Sequence, residues 1–425
     1  SIIALWLNGH IFIPISPANA KERNENNMEQ AKATYILTPT LEDAVIVNST
    51  DIKIITTSTL FSNLKNQNIN TDKNNILYTL FTSGSTGTPK GVPINLNNLN
   101  SFVNAFYHIG YPITEEDRFL QIFDFTFDVS VQSYVLPLVK GACIYTVPQT
   151  DIKFMGALKI LKNHEITFAK LVPSTLNYFK PYFNRINLPH LKYSLFSGEA
   201  LPYNIAKEWS KCVPNASIEN HYGPTEATID CLSYKMHSSD FGSHKGVLSI
   251  GKPFKNIEAQ IINQNNEFIS SEEEGELIIR GNQVTTGYLN NTKKNKEAFI
   301  SIENKIYYKT GDIVFKNADG NYFYCGRKDN QLQIQGYRVE LGEIEFQIKK
   351  IIPEKNIVVT SYTESDVLFL ILFIEGHQDF ELEFFESKLK KSLPHYMLPK
   401  KINFVNSFPL TTSGKTNIKA LKIFI

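Results

Sequence analysis

The segment from Thr82 to Gly91 combines glycines and hydroxyl side chains with a single lysine, Lys90. Glycines allow backbone N–H groups to turn towards a ligand, hydroxyls add donors and the lysine adds positive charge, so the combination suits a polyphosphate. It is not a Walker loop, because the sequence Gly-Lys-[Ser/Thr] does not occur within it. Since an apolar stretch, Ile76 to Phe81, precedes it, we predict a phosphate-binding loop after a strand. A flexible Ser/Gly loop is the alternative.

A second polar segment, Asn220 to Glu226, brings an aromatic ring, a hydroxyl and a carboxylate close together in the sequence. Tyr222 could stack on a nucleobase, Thr225 could donate to a phosphate, and Glu226 could hold a hard cation through its oxygens. Taken alone, these residues fit a Gly-Pro turn beside a helix equally well.

Three further residues lie in short polar segments near the C-terminal half of the chain. Asp312 could accept hydrogen bonds from ribose hydroxyls, although a simple turn aspartate is the alternative. Arg327 follows a predicted strand and could present its guanidinium to ribose or phosphate. Lys415 lies in a hydroxyl-rich turn, where most lysines are merely solvated. No single residue decides the function, but their order along the chain does.

The composition describes an ordinary globular protein. A chain of 425 residues is too long for one compact core, so we expect more than one domain. The hydrophobic fraction is 42% and the mean hydropathy is -0.20. A formal net charge of +1 gives no overall field that would favour nucleic acid or a membrane as partner, so phosphate binding must come from a local site.

The chain is predicted to be cytoplasmic. Its opening stretch, Ser1 to Ile15, is apolar but interrupted and has no basic leader, unlike a signal peptide. The longest apolar run, Leu368 to Ile374, is far shorter than the roughly 20 residues that span a bilayer. Because the chain starts without methionine inside an expected strand, we expect a fragment. The 4 cysteines lack the spacing of zinc or redox motifs, so we expect buried thiols.

Short apolar runs alternate with amphipathic segments, as in a predicted strand at Leu191 to Phe196 and a helix at Pro202 to Cys212. This alternation predicts an α/β fold with layered sheets. From Gly246 onward, short strands and turns indicate a β-rich subdomain. We predict a large domain over residues 1–328 and a small, mobile α+β domain over residues 329–425.

Taken in order, these motifs resemble those of the AMP-forming acyl- and aminoacyl-ligase superfamily. The likeness is greatest to adenylation domains of nonribosomal peptide synthetases and to D-alanine:carrier-protein ligases, and it runs from about Ala4 to Lys415. It rests on the Ser/Thr/Gly loop and on Tyr-Gly-Pro-Thr-Glu, Tyr-Lys-Thr-Gly-Asp, Gly-Arg-Lys-Asp and Gly-Tyr-Arg-Val-Glu-Leu-Gly-Glu-Ile-Glu. The resemblance implies a ligase that uses ATP and Mg²⁺ to form an aminoacyl-AMP, and then transfers the amino acid to the phosphopantetheine thiol of a carrier protein.

The resemblance also implies a role for each matching residue. Lys415 would stabilise the charge that develops as the carboxylate attacks phosphorus, Thr225 would contact the α-phosphate, and Glu226 would bind Mg²⁺. Asp329 would be the hinge of the small domain, whose rotation would present the Gly336 loop to the thiol. The implied ATP- and AMP-binding residues are Thr82, Ser83, Gly84, Ser85, Thr86, Gly87, Lys90, Gly198, Glu199, Ala200, Asn220, His221, Tyr222, Gly223, Pro224, Asp312, Tyr324 and Arg327.

Asp128 matches the acidic residue that pairs with the substrate α-ammonium in amino-acid-activating members of the family. A fatty-acid or aryl ligase would leave such a buried carboxylate unpaired, which is unfavourable. A helix-capping aspartate is the alternative. The implied amino-acid-binding residues are Asp128, Val129, Gln132, Lys170, Leu195, Ser197, His221, Ile229, Asp230 and Lys415.

Lys170 and His221 together favour an acidic or amide side chain, similar to pockets for aspartate. Asp230 could instead neutralise Lys170 inside the protein. The sequence Ser197-Gly198-Glu199 resembles that of D-alanine ligases, so D-alanine is the other candidate.

The sequence departs from the family pattern at Gln333 and Gln335, where basic residues near the pantetheine tunnel are usual, and at residues 416–418, where Thr-Asn-Ile replaces Val-Asp-Arg. The beginning of the large domain is also expected to be missing. The alternatives are an acyl-CoA ligase with the same adenylation step and a noncatalytic module that binds nucleotide or carrier protein. Asp128 disfavours the former, and the presence of Glu226 and Lys415 disfavours the latter.

Overall fold

A computed structural model describes residues 1–17, 19–39, 52–57, 72, 74–84, 89–148, 151–237, 242–270, 272–329, 331–364, 367–411 and 416–425. Ser85, Thr86, Gly87 and Lys415, which the sequence places in the candidate site, lie outside these residues. Among the residues described, no helix is both long enough and apolar enough to cross a bilayer.

Helices and strands alternate through most of the chain. The α-helices are α1 (Ile2–Leu7), α2 (Lys21–Ala31), α3 (Leu96–His108), α4 (Asp128–Val139), α5 (Lys153–Asn163), α6 (Ser174–Phe179), α7 (Tyr203–Ser210), α8 (Thr292–Ala298), α9 (Leu341–Ile351), α10 (Leu382–Ser392) and α11 (Ile418–Leu421). The strands of the first half are β1 (Tyr35–Thr38), β2 (Lys53–Thr56), β3 (Ile76–Thr82), β4 (Lys90–Asn95), β5 (Arg118–Gln121), β6 (Cys143–Thr146), β7 (Phe168–Leu171), β8 (Tyr193–Phe196), β9 (Ser217–Tyr222) and β10 (Leu232–Lys235). Those of the second half are β11 (Ser243–His244), β12 (Val247–Leu248), β13 (Lys252–Pro253), β14 (Ile257–Ile262), β15 (Gly275–Gly281), β16 (Phe299–Ile302), β17 (Lys305–Lys316), β18 (Tyr322–Arg327), β19 (Gln331–Ile334), β20 (Tyr337–Glu340), β21 (Ile357–Glu364), β22 (Val367–Glu375) and β23 (Lys401–Val405).

A seven-stranded sheet with the order β13-β10-β9-β8-β7-β5-β6 is formed by strands between residues 118 and 253. Strands β5 to β9 are parallel, and β10 and β13 are antiparallel. Successive side chains of a strand point to opposite faces. Phe168 and Leu195 accordingly join a core with α3 and α4, whereas Ala169 and Phe196 join a second core with α5, α6 and α7. Because helices cover both faces, β5, β7, β8 and β9 are mostly buried, and this includes polar residues such as Lys170 on β7 and His221 on β9.

A second, antiparallel sheet has the order β14-β15-β17-β16, and β18 also pairs with β17. Alternate residues of this sheet, such as Leu277 and Ile279, pack into the same core as α3 and α4. In its register Asp312 of β17 lies directly opposite Arg327 of β18. The sheet therefore brings together two residues that are separated in sequence and that both carry predicted ribose contacts.

The C-terminal part has a core of its own. Strands β21, β22 and β23 form a three-stranded sheet, with β22 and β23 parallel, and β19 and β20 form a separate hairpin. Apolar residues at helical spacing on α9, Ile344 and Ile348, pack with Phe385 and Leu389 of α10 against this sheet. The division of the chain after residue 328 falls between β18 and β19, and the domain assignment itself stays a prediction.

Most of the predicted elements form, with two corrections. The expected strand at the start of the chain is wrong, because Ile2–Leu7 is a helix and its Trp6 indole N–H donates to the carbonyl of Leu77 at 2.9 Å. The expectation of buried thiols is wrong for two cysteines, since Cys143 is exposed and Cys325 is half-buried. Cys143 begins the edge strand β6, where only one side of the strand is paired.

Candidate active site

The candidate residues lie where the parallel strands of the central sheet end. Asp128 begins α4 shortly after β5, Ser197 follows β8, and Thr225 follows β9. The carboxyl ends of parallel strands meet at one edge, and ligand-binding crevices of α/β sheets form there. A cavity of about 440 Å³ opens at this edge, and the hairpin β19–β20 forms part of its wall.

Many of the residues predicted from the sequence line this one cavity. They are Thr82, Ser83, Asp128, Val129, Ser197, Gly198, Glu199, Ala200, Asn220, His221, Tyr222, Gly223, Pro224, Thr225, Ile229, Asp312, Tyr324, Arg327 and Gly336. The remaining predicted residues that the structure describes are not among the lining residues, and most of them form a buried layer behind the wall. They are Gly84, Lys90, Gln132, Lys170, Leu195, Glu226, Asp230 and Asp329. Asp329 is the exposed member of this set.

Both described ends of the predicted phosphate loop contact the C-terminal part of the chain. The Ser83 hydroxyl donates to the carbonyl of Arg338 at 2.7 Å, and the Gly84 N–H donates to Glu343 at 3.4 Å. The ammonium of Lys90 lies 3.8 Å from the carboxylate of Glu340. Burial lowers the pKa of Lys90, and the neighbouring Arg338 lowers it further. The described residues on both sides of the loop therefore contact the β20–α9 segment.

Glu226 is fully buried and makes two strong contacts. Its Oε1 accepts from the hydroxyl of Tyr288 at 2.7 Å, and its Oε2 accepts from Nη1 of Arg338 at 3.0 Å. Burial alone would raise the pKa of Glu226, but Arg338, Lys90 and Tyr288 outweigh it and lower the pKa to about 2. The carboxylate predicted to bind a cation is thus ionised, and a guanidinium from the C-terminal part neutralises it.

Asp312, which lines the cavity, bonds to two polar side chains. Its Oδ2 accepts from the hydroxyl of Tyr222 at 2.5 Å, and its Oδ1 accepts from Nη1 of Arg327 at 2.6 Å. Arg327 also donates from Nε and Nη2 to the two oxygens of Asp329, at 2.6 and 2.8 Å. Burial raises the pKa of Asp312, against the opposing effect of Arg327. The predicted hinge residue Asp329 is therefore bound to the predicted ribose-binding residue Arg327.

Asp128 is buried at the first position of α4 and lines the cavity. The N-cap of this helix is Phe127, so the capping alternative for Asp128 does not describe the helix start. Burial is the main reason that its pKa rises to about 7, and the nearby Asp230 adds to the effect. A hydrogen bond with Thr225 acts in the opposite direction. An ammonium group placed beside Asp128 would favour its ionised form.

The predicted amino-acid side-chain pocket contains a buried charge network. The Lys170 ammonium forms an ion pair with Oδ2 of Asp230 and donates to Oε1 of Gln132 at 2.6 Å. Nδ1 of His221 lies 3.2 Å from the same Asp230 oxygen, and Nε2 lies 3.5 Å from Glu219. Burial lowers the pKa of Lys170, against the opposing effect of Asp230. Asp230 therefore neutralises Lys170 inside the protein, as the second interpretation of the sequence anticipated.

His221, in the wall of the cavity, lies between the carboxylates of Asp230 and Glu219. Burial would lower the pKa of this imidazole, but Asp230 and Glu219 together raise it. Glu219 in turn accepts from the hydroxyl of Tyr111 at 2.5 Å. Leu195 lies beside this network as a fully buried residue of the core with α3 and α4.

Glu199 connects the central sheet to the β19–β20 hairpin. Its carboxylate accepts from the N–H of Ser174 at 2.8 Å, from the Ser174 hydroxyl at 3.1 Å and from the N–H of Gly336 at 2.7 Å. Gly336 has φ +83°, and a Cβ at this position would lie 2.5 Å from Cγ1 of Val172. The hairpin can approach the sheet this closely because residue 336 has no side chain.

Several contact residues were not assigned by the sequence analysis. Arg338 belongs to the Gly-Tyr-Arg-Val-Glu motif, but the sequence predicts no role for it, because only its contact with Glu226 reveals one. Glu219 lies two residues before His221 on β9 and so shares its face, a signal that was available from strand periodicity. Tyr111 and Tyr288 are distant in sequence from their partners, and the sequence gives no signal for them.

Comparisons with known proteins agree with this arrangement. A family model described as "AMP-binding enzyme" matches residues 1–289. The chain is 34% identical to a D-alanine--D-alanyl carrier protein ligase of Bacillus licheniformis, over 81% of the chain and 70% of that protein. It is 33% identical to zwittermicin A synthase ZmaJ of Bacillus cereus, over 99% of the chain and 82% of that protein.

Other relatives are much longer. The chain is 31% identical to gramicidin S synthase 2 of Brevibacillus brevis over 99% of its own length, but it spans only 9% of that protein. Among solved structures, the Vibrio cholerae adenylation domain AlmE, in complex with glycyl-adenosine-5'-phosphate, superimposes with a TM-score of 0.87 at 26% identity, over 100% of this chain and 85% of that one. PA1221, a protein that contains adenylation and PCP domains, shares the fold with a TM-score of 0.86 at 21% identity, over 100% of this chain and 73% of that one.

Proposed function

Since the chain belongs to the AMP-binding enzyme family, whose members are AMP-forming ligases that use ATP, we propose that it activates an amino acid as its aminoacyl-AMP, releases pyrophosphate and transfers the amino acid to a carrier-protein thiol. The observation that carries the proposal is the convergence of Asp128, Thr225 and Asp312 on one cavity. Its relatives support the proposal, because they include a ligase for a D-alanyl carrier protein and a gramicidin S synthase.

In the activation step, the nucleotide occupies the end of the cavity at Asp312, and the amino acid occupies the end at Asp128. Asp312 accepts from the ribose hydroxyls, and Tyr222 and the turn at Gly198 flank the adenine. Thr225 lies between the two ends and bonds to the α-phosphate, next to the carboxylate that attacks it. Lys415 and the segment Ser85–Gly87 keep the roles implied by the family resemblance.

Asp128 provides the selectivity for an α-ammonium group. Its pKa of about 7 indicates that an unpaired carboxylate is unfavourable at this buried position. A substrate ammonium compensates the charge, so the site favours amino acids over simple fatty or aryl acids.

Glu226 is the residue that would hold Mg²⁺. The fit is chemical, since a carboxylate that is completely buried requires a positive partner to stay ionised, and oxygen is the ligand that Mg²⁺ prefers. The ion would neutralise charge on the phosphates of ATP. Arg338 occupies this carboxylate in the structure, so the guanidinium must withdraw with the small domain before a metal ion takes its place.

The transfer step uses the arrangement in which the β19–β20 hairpin contacts the cavity. The Gly336 loop then forms part of the wall, and Glu199 holds it through the Gly336 N–H. In the activation step the small domain must turn about Asp329 to bring Lys415 to the substrate. Arg327 holds the Asp329 carboxylate at two points, which fixes one side of the hinge.

The charge network favours an amide side chain over an acidic one. An acidic substrate would need a cation without a partner, and Lys170 is already paired with Asp230. Within the described part of the chain, the Ser197 hydroxyl, which lines the cavity, is buried without a hydrogen-bond partner. A carboxamide can bond to this hydroxyl as donor or acceptor without adding a charge, whereas D-alanine would leave it unpaired.

Amino-acid-dependent exchange of labelled pyrophosphate into ATP tests the proposal. We expect stimulation by asparagine or glutamine, weaker stimulation by aspartate or glutamate, and little by D-alanine. Strong stimulation by aspartate would overturn the charge argument while leaving the ligase assignment intact. Absence of stimulation by every amino acid, together with activity on an acid that lacks an ammonium, would overturn the role of Asp128.

A further inference from the structure

Three potential metal ligands converge on the β-rich sheet, outside the cavity described above. His244 lies in β11, Glu274 immediately precedes β15, and Cys325 lies in β18. One ligand atom from each side chain lies within 4.8 Å of the other two. The residues come from three separate elements, so their proximity depends on the tertiary fold and not on sequence spacing.

The imidazole of His244 is held by packing against an aromatic ring, but one of its nitrogens has no hydrogen-bond partner among the described residues. Its ring packs edge-on against Phe315, with the ring centroids 4.8 Å apart. Its Nε2 is shielded from solvent and has no hydrogen-bond partner among the residues that the structure describes. A buried nitrogen without a partner is unfavourable unless some other group, such as a metal ion, uses its lone pair.

Cys325 and Glu274 are already in contact with each other. The thiol of Cys325 interacts with the Glu274 carboxylate by a hydrogen bond and lies 3.7 Å from the carbonyl of Phe323. Burial raises the pKa of the thiol, Glu274 raises it further, and Lys245 acts in the opposite direction. A divalent cation between the two groups would reverse the effect of Glu274, because the carboxylate would then share the metal with a thiolate.

We propose that His244, Glu274 and Cys325 form a binding site for a zinc-like divalent cation. Thiolate, imidazole and carboxylate are the ligands that zinc uses, and the thiolate disfavours Mg²⁺ and Ca²⁺. Binding releases one proton from the thiol to solvent, and the two anionic ligands then balance the charge of the ion. Three protein ligands leave the fourth tetrahedral position to water.

The geometry requires only a small closing movement. Tetrahedral zinc places its ligand atoms roughly 3.5 Å apart. Since the present separations are at most 4.8 Å, none of them must shorten by more than about 1.3 Å. Glu274 is exposed and has freedom to move, while His244 and Cys325 are half-buried on paired strands. Rotation of the glutamate side chain can therefore complete most of the site.

The position of this cluster connects it to the nucleotide end of the cavity. His244 pairs with Val247 across the β11–β12 hairpin, and Val247 lines the cavity. Cys325 is adjacent in sequence to Tyr324, which also lines it. A bound metal would therefore fasten the hairpin to the sheet that carries Asp312 and Arg327, and we expect it to stabilise that wall of the cavity.

Titration of the metal-free protein with Co²⁺, without nucleotide, tests the site independently of the proposed ligase reaction. We expect a sulfur-to-cobalt charge-transfer absorption with the visible bands of four-coordinate Co²⁺, displaced by Zn²⁺ but not by Mg²⁺. Cys325→Ser should abolish the charge-transfer band. Glu274→Gln, at an exposed position, should keep the band but weaken binding by about 10-fold or more.

Cys143→Ser is the matched control, because Cys143 is an exposed cysteine outside the cluster. It should leave the spectrum and the affinity unchanged. Zn²⁺ should raise the thermal midpoint of the wild type and of this control but not that of Cys325→Ser. Absence of the band in the wild type, or its loss in Cys143→Ser instead, would overturn the proposal and leave the Cys325–Glu274 contact as a hydrogen bond only.

Discussion

The two ends of the cavity both contain carboxylates beside cations, but the charges face different directions. At the nucleotide end, Asp312 and Arg327 line the cavity and bond to each other across β17 and β18. At the amino-acid end, Lys170 and Asp230 form their pair behind the wall. The comparison shows that two charged pairs at motif positions can differ in whether they line the cavity, which the sequence alone does not reveal.

The largest expected effect is a loss of stability when the buried charge pair at the amino-acid end is broken. Lys170→Met leaves Asp230 buried without its ammonium partner, although His221 stays nearby, so we expect a loss of about 3–5 kcal/mol in the free energy of unfolding. Urea denaturation measures it. The matched control is Lys350→Met, which removes an exposed pair with Glu22 and should lower this free energy by only about 0–1 kcal/mol. Equal losses in the two variants would contradict the view that burial makes the Lys170–Asp230 pair costly to break.

The next effect should appear in activity. Asp312→Asn weakens charged hydrogen bonds of roughly 1.5–3 kcal/mol at the ribose, so we expect kcat/KM for ATP to fall roughly 10- to 100-fold in pyrophosphate exchange. Asp319→Asn, at an exposed turn after β17, is the control and should behave like wild type. A change in KM for the amino acid alone would mean that Asp312 contacts the amino acid and not the ribose of ATP.

Glu199→Gln sharpens the comparison between the two half-reactions. The amide offers one acceptor oxygen where the carboxylate offers two. One of the two donors, the N–H of Ser174 or the N–H of Gly336, therefore loses its hydrogen-bond partner, which costs about 1–2 kcal/mol. We expect carrier-protein loading to slow roughly 5- to 30-fold while pyrophosphate exchange stays within about 2-fold. Glu208→Gln on the exposed face of α7 is the control. Equal losses in both assays would mean that Glu199 acts on the activation step as well.

The smallest effect is a pH dependence at the amino-acid end. Only ionised Asp128 attracts an ammonium, and its pKa of about 7 is raised by burial, so protonation below this pH removes the attraction. We expect the KM for the amino acid to rise roughly 5-fold from pH 7 to pH 6. Asp128→Asn should lose this dependence together with most activity. A KM for ATP that changes in parallel would assign the titration to another group.

The fold class could be predicted from local patterns, and many of the residues that line the cavity were implied by the family resemblance. Glycine and hydroxyl content identified the loop after β3, and apolar alternation identified β8 and α7. The sequence could not decide whether Lys170 faces a ligand or Asp230, since that choice depends on how β7 and the segment after β9 pack together. It assigned no role to Arg338, whose contact with Glu226 joins parts of the chain that are far apart.

The Arg338–Glu226 contact has a consequence for how magnesium concentration affects the two steps. A metal ion bound to Glu226 would compete with the guanidinium for the same buried carboxylate. Such competition is reciprocal, because each occupant lowers the affinity for the other by the same factor. Rising Mg²⁺ should therefore shift the resting population away from the docked small domain, favouring activation while slowing transfer. The divalent ion would then oppose docking of the small domain in addition to serving as a cofactor.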